Sequence, residues 1–431
     1  MNIFTRYIAP GLLIASVLSG WAGVAFAQTS QRTETAGKEL TAGQLTGVSR
    51  LLQEYVDKGR IAGGVVQIHQ DGRPVLTTAV GWRDKEAKDP MRNDTLFRIA
   101  SQTKALTSVA ILMLMEEGKL TLSAPLSKYL PGWSSTTVAV EKPGGGYDVV
   151  PAHRPITLHD LLTHTSGVSY GNGPAVKVWR DAGFLGWYWG DRRETIASAV
   201  SRMPRLPMAG QPGEQWIYGY STDILGVVVE KVSGQTLQAF LTERLIRPLA
   251  LKDTFFYVPA NKANRLAVVY SETAEGRIRR APDPGEWRDG NYVGQGEYID
   301  GAHQAYSGGA GLLSTAADYS RFLEMIRRGG ELDGKRYLRQ QTVKQMVSNQ
   351  IEGVPYPPGM GFGLGFNIRT DAAKAGDPGE TGEFAWSGIY HSLYWVDPHN
   401  RMTVVYMVQL LPAEHIDDWA RLRSVIYQAL K

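Results

Sequence analysis

Residues 95–122 read TLFRIASQTKALTSVAILMLMEEGKLTL, and the rest of the chain is organised around them. From 103 to 117 Ala, Leu, Met, Ile and Val dominate and no Gly or Pro intervenes before Gly118. That run predicts a helix of about four turns, apolar on every side and therefore buried. At its mouth stand Ser101 and Lys104, whose spacing of three puts them on one helical face, one turn apart. A serine hydroxyl is a weak nucleophile unless a neighbour takes its proton. A lysine can do so once burial or a nearby cation brings its pKa down from ~10.4. The helix N-terminus adds a partial positive charge and free N–H groups where an oxyanion would form. A capping serine followed by a solvated lysine is spelled the same way, so the pair needs support from the rest of the chain.

Upstream, Leu45, Val48, Leu51, Leu52 and Val56 have helical spacing within 42–59. Two β-rich runs, 63–70 and 75–82, flank Asp71-Gly72-Arg73-Pro74, and Asp-Gly between such runs signals a hairpin. Downstream, 131–155 is rich in Pro and Gly and reads as a long loop, with a helix opening at Ile156-Thr157. Helices are expected at 191–203, 222–232 and 237–246, with no run of strands between 156 and 300. After Gly308-Gly309-Ala310-Gly311 comes a helix at 316–328, then β character at 361–368, 383–386, 392–396 and 402–409, and a closing helix at 414–431. Strands near both ends with helices between them predict a mixed α/β fold. Its sheet would be built from residues 28–98 and 302–431, with a mainly helical domain, 99–301, inserted. No internal repeat is present.

Composition narrows the function. Lys and Arg total 46 against 42 Asp and Glu, a net charge of +4 spread over 431 residues, and Arg277, Arg279 and Arg280 form the densest basic cluster. That is too small for a nucleic-acid footprint. With no Cys, disulfides, thiolate metal sites and cysteine nucleophiles are excluded. The 48 glycines are well above the ~7% of average usage and point to many tight turns. Residues 1–27 read as a secretory signal: Arg6, an apolar stretch from Gly11 to Leu18, and the small-x-small site Ala25-Phe26-Ala27. Cleavage near Ala27 would leave an exported protein, periplasmic or secreted, with no stable membrane anchor.

Further motifs follow the 95–122 segment in order. Residues 156–167 read ITLHDLLTHTSG and 308–319 read GGAGLLSTAADY. Together they resemble the penicillin-recognising serine hydrolases: class C β-lactamases, D-Ala-D-Ala peptidases and family VIII carboxylesterases. The resemblance spans roughly residues 45 to 430. It implies the β-lactamase-like fold, a central antiparallel sheet flanked by helices, and it implies Ser101 as nucleophile with Lys104 beside it.

The same resemblance places a tyrosine on a loop over the serine. In WIYGYSTDILG, residues 216–226, the esterase pattern of Tyr, four residues, Asp, an apolar pair and Gly selects Tyr218. A phenol beside an ammonium can be driven toward phenolate, a second base and a donor to the leaving alkoxide. Tyr220 stands where the lactamases have Asn, on the substrate side of the loop. Where they carry Lys-Thr-Gly, this chain has Trp386-Ser387-Gly388, which resembles the Trp-x-Gly of the esterases. A lysine there would hold a substrate carboxylate and a tryptophan cannot. The oxyanion hole implied is the N–H of Ser101 with that of Ile389, Gly388 leaves room for substrate, and His391 could line the pocket.

Gly167-Val168-Ser169-Tyr170-Gly171 fits G-x-S-x-G, but no strand–elbow–helix can form around Ser169. His159 and His164 are spaced for caps and loop contacts, and neither HExxH nor a phosphate loop is present, so no metal or cofactor is implied. The aromatic run Trp179, Phe184, Trp187, Tyr188 and Trp189 suits either a cap over the substrate or packing between domains. The expectation is a serine carboxylesterase for short-chain or aryl esters, since nothing resembles a deep acyl tunnel. A β-lactamase or D-Ala-D-Ala peptidase, an acyltransferase, and a non-catalytic sensor of cell-wall fragments are the rivals.

Overall fold

The computed structural model describes residues 39–430 apart from residue 289; the expected signal segment, 1–27, lies outside them. Helix α1 (Thr46–Asp57) leads into β1 (Gly63–Gln70) and β2 (Arg73–Asp84). Asp71 and Gly72 both take positive φ, 51° and 76°, as the tight turn between twisted strands demands. Short β3 (Asp89–Pro90) follows, then α2 (Thr103–Glu116) and, after a stretch of short helices and a hairpin, α3 (Ser221–Ser233) and α4 (Ala316–Arg327). The C-terminal part supplies β4 (Met360–Phe362), β5 (Asn367–Arg369), β6 (Phe384–Ser387), β7 (Leu393–Asp397), β8 (Met402–Met407) and α5 (Asp418–Ala429).

One sheet in the order β4-β5-β6-β7-β8-β1-β2-β3 joins both ends of the chain, and every pairing in it is antiparallel. All six residues of β8 are buried because both faces of the sheet are covered. Val404 and Tyr406 meet Leu52 and Tyr55 of α1 and Leu422 and Ile426 of α5 on one side. Val405 and Met407 join α2, α3 and α4 in the larger core on the other. Helix α2 is enclosed from Thr103 to Leu114 and packs against α3. This arrangement sets the N-termini of two buried helices beside the turn that joins β6 to β7.

Several expected boundaries shift. Residues 131–155 contain a hairpin, Thr137–Glu141 with Tyr147–Pro151, whose alternating Val residues are masked by the Gly-rich turn. The expected strand at 361–368 is two strands, because Gly365 at φ 100° and a Gly363 N–H to Phe366 carbonyl bond reverse the chain. Two further short hairpins, Tyr270–Glu272 with Ile278–Arg280 and Glu286–Arg288 with Asn291–Val293, interrupt the region expected to hold no strands. The helix expected at 191–203 begins only at Ile196, where Thr195 caps it through the N–H of Ser198. No helix among the described residues is long and apolar enough to cross a membrane.

Candidate active site

Ser101 lies in a single 3-10 turn, Ala100–Gln102, that runs straight into α2. Ala100 is held at φ 41°, a left-handed conformation that costs an alanine energy and is tolerated where the surroundings impose it. Ser101 and Lys104 are both buried, and Lys104 Nζ stands 3.4 Å from Ser101 Oγ. The same amine donates to the carbonyl of Gly309 at 2.7 Å and to the hydroxyl of Tyr170 at 2.9 Å. It also sits 4.7 Å from the centroid of the Tyr218 ring. Two acceptors and the Tyr218 ring face therefore fix a lysine that is 2% exposed, with Ser101 Oγ on its remaining side.

The Gly309 carbonyl is itself held. Asp223, buried in the first turn of α3, accepts from Ser307 Oγ at 2.5 Å and from the Gly309 N–H at 3.2 Å. A Cβ on Gly309 would lie 2.5 Å from Asp223 Oδ2, so only glycine fits against this carboxyl. Thr107 of α2 donates to the Gly308 carbonyl, and the Leu312 N–H donates to Thr103. The GGAGLL segment is thereby bolted to both helices. Burial pushes the Asp223 carboxyl above its usual range, with the Lys104 charge pulling the other way.

The tyrosines divide unexpectedly. Tyr218 is the nearer ring, and its hydroxyl accepts from the Trp386 indole N–H at 3.2 Å. Tyr170, from the segment read for its serine, provides the hydroxyl that Lys104 bonds, and burial raises its pKa well above the usual value, keeping its proton on. Ser169 itself donates to the carbonyl of Asn172. The substrate-side placement expected for Tyr220 is corrected: it is 0% exposed, donates to the Gly186 carbonyl, and is boxed by Trp179, Phe184, Trp189 and Tyr170. Tyr220 reaches the site only by supporting Tyr170. The aromatic run thus packs largely as core, although Trp187 and Trp189 also line a small cavity beside Ser307 and Ala310.

His164, whose spacing suggests only a cap or loop contact, lies beside the site. Its ring packs 4.7 Å from that of Tyr218, and burial followed by the Lys104 charge holds it neutral. Trp216 stacks on Tyr218 at 5.6 Å and meets the His164 ring edge-on at 5.9 Å. Gly388 approaches the nucleophile's turn so closely that a Cβ would lie 2.5 Å from the Ile99 carbonyl oxygen. Ile389 follows in the β6–β7 turn. His391 is not turned to the pocket: it faces α5, where Asp418 takes its imidazole N–H. Ser101, Lys104, Tyr218, Trp386 and Gly388 are thus gathered at one place, while Tyr220 and His391 stand behind it.

The chain matches the family described as Beta-lactamase over residues 48–426. It is 32% identical over 388 residues to Protein Rv1367c of Mycobacterium tuberculosis, covering 86% of this chain and 92% of that one. With Esterase EstB of Burkholderia gladioli it shares 32% identity over 355 residues, 78% of this chain and 83% of the relative. Among solved structures, EstCE1, described as a hydrolase with promiscuous acyltransferase activity, aligns with a TM-score of 0.76 at 27% identity, covering 90% of this chain and 99% of that one.

Proposed function

The chain belongs to the beta-lactamase family and is a serine hydrolase of that superfamily, and we propose that it is an exported carboxylesterase that cleaves short-chain or aryl esters through an acyl-enzyme on Ser101. The observation that carries this reading is the buried contact of Ser101 Oγ with Lys104 Nζ, made beside a tryptophan, Trp386, that offers no positive charge to a substrate carboxylate. Ser101 Oγ bonds to the ester carbonyl carbon as its proton passes to Lys104, with Tyr218 sharing that proton. The carbonyl oxygen becomes an oxyanion facing the N–H groups of Ser101 and Ile389. The tetrahedral centre collapses, the C–O bond to the alcohol breaks, and the departing alkoxide collects the proton. Water repeats the sequence on the acyl-enzyme and frees the acid. Tyr170 and Gly309 keep the amine aimed at Ser101 throughout.

An acyl transfer to a second alcohol in place of water is the alternative, favoured by the aromatic surround of Lys104 and by the likeness to EstCE1. Turnover of p-nitrophenyl acetate beside nitrocefin tests the main reading: ester cleavage without lactam opening is expected, and lactam opening with little ester cleavage would overturn it. Added alcohol that diverts acyl groups from water would reveal the transferase. Sequencing the N-terminus of protein recovered from the producing cells tests export, with Gln28 expected first.

A further inference from the structure

The turn that joins β6 to β7, Gly388 to Ser392, is tight: the Gly388 N–H donates to the Ser392 carbonyl and the His391 N–H to the Gly388 carbonyl. Its geometry demands a left-handed residue, and His391 supplies it at φ 69°. Histidine tolerates that region better than most side chains but still pays relative to glycine. A histidine nonetheless stands here, and its imidazole is held on one edge and one face. Nε2 donates to Asp418 Oδ1 at 2.7 Å, and both side chains are almost completely buried. The Trp419 ring stacks on the imidazole at 4.5 Å and 17°, and its indole N–H donates to the His391 carbonyl at 3.3 Å. Asp418 is anchored in turn by the Tyr406 hydroxyl at 2.7 Å. The first two residues of α5 therefore grip the one left-handed side chain of the turn from three directions.

We infer that His391 is a positioning residue, which ties the Ile389 N–H to the C-terminal helix and so sets the depth of the oxyanion hole. The inference rests on the reading of Ile389 given under Proposed function. Gly388 already lies against the Ile99 carbonyl, so a shift of this turn by a fraction of an ångström changes where the Ile389 N–H stands relative to Ser101. Hydrogen-bond donors act on a developing oxyanion only within a narrow distance range. Neither His391 nor Asp418 touches the substrate. Their effect falls on the transition state and leaves substrate binding little changed.

Glycine separates the two demands on position 391, because His391→Gly satisfies the left-handed backbone and removes the tether. Full-length protein is assayed for kcat and KM on p-nitrophenyl acetate and for inhibition by phenylboronic acid, whose adduct with Ser101 mimics the oxyanion. The expected result is a fall in kcat of about tenfold or more, a KM within about twofold, and boronate inhibition weakened about as much as kcat. Trp419→Phe keeps the stack and loses the bond to the His391 carbonyl, so a smaller change of the same pattern is expected, and it serves if the glycine variant does not fold. Tyr427→Phe is the control: it unties the far end of α5 from Glu383 and Asp397, and should lower the melting temperature while leaving kcat and boronate inhibition unchanged. Unchanged kcat in His391→Gly, or losses that follow melting temperature across all three variants, overturns the inference. Absence of esterase turnover in the unaltered protein would instead overturn the reading of function.

Discussion

The Tyr170 hydroxyl stands 2.9 Å from Lys104 Nζ, closer to it than Ser101 Oγ is. A phenol that burial keeps protonated gives the amine a fixed acceptor and leaves the remaining side of the amine for the serine. Tyr170→Phe should therefore retain the fold and lose kcat by roughly 10- to 100-fold, with KM little changed. Steady-state kinetics on p-nitrophenyl acetate decide this, and an unchanged kcat would show that Gly309 alone suffices to aim Lys104.

Asp223 offers a test in which stability and activity move apart. Asn at 223 keeps an oxygen for Ser307 and for the Gly309 N–H but carries no charge. Burial raises the Asp223 pKa in the folded state, so its contribution to stability is complete at low pH and is lost as pH rises through that raised value. Asn does not titrate, so in urea unfolding the stability of Asp223→Asn relative to the unaltered protein should rise as pH climbs above the ordinary carboxylate range. Its kcat should fall, because Lys104 loses a neighbouring carboxylate. A stability difference that shrinks as pH rises would contradict the account.

The two tyrosines of the 216–226 segment should behave in opposite ways. Tyr218→Phe removes the hydroxyl that takes the Trp386 indole N–H and that the proposed mechanism uses to share the serine proton, and should lower kcat by about 10²-fold or more. Tyr220→Phe loses a buried bond to the Gly186 carbonyl, about 1 kcal/mol of stability, and should keep kcat within about twofold. Denaturant melts and kinetics on the same preparations separate the two effects.

Gly388→Ala would push a methyl carbon to 2.5 Å from both the Ile99 carbonyl oxygen and Ser392 Oγ. Overpacking of this kind costs about 1–3 kcal/mol, and relief requires the β6–β7 turn to move away from Ser101. A strong fall in kcat with a lowered but cooperative melt is expected, and normal kcat would place the oxyanion donors elsewhere.

Much of this architecture was legible in residue patterns. The all-apolar run of α2, the Asp-Gly hairpin and the buried β8 each carry a local signal, and they placed the sheet and the Ser101–Lys104 helix correctly. What escaped was everything that depends on distant segments meeting. Tyr170 sits in an irregular loop whose serine drew attention, and nothing in its neighbours indicates that its hydroxyl meets Lys104. Asp223 stands in the sequence only as a spacing mark in a motif, since its grip on Gly309 links residues 86 apart in the chain. The sequence puts Tyr220 with the substrate because position along a loop does not reveal which way a side chain faces. His391 looked like a pocket residue because α5, which captures it, begins only at Asp418.

The central claim is that Ser101 is the residue that takes the acyl group. Incubating the protein with a fluorophosphonate and mapping the modified peptide by mass spectrometry tests it directly, with Ser101→Ala run in parallel. A single adduct on Ser101, absent from the variant along with all ester turnover, is the predicted result. An adduct on any other side chain, or ester cleavage that persists in Ser101→Ala, would contradict it.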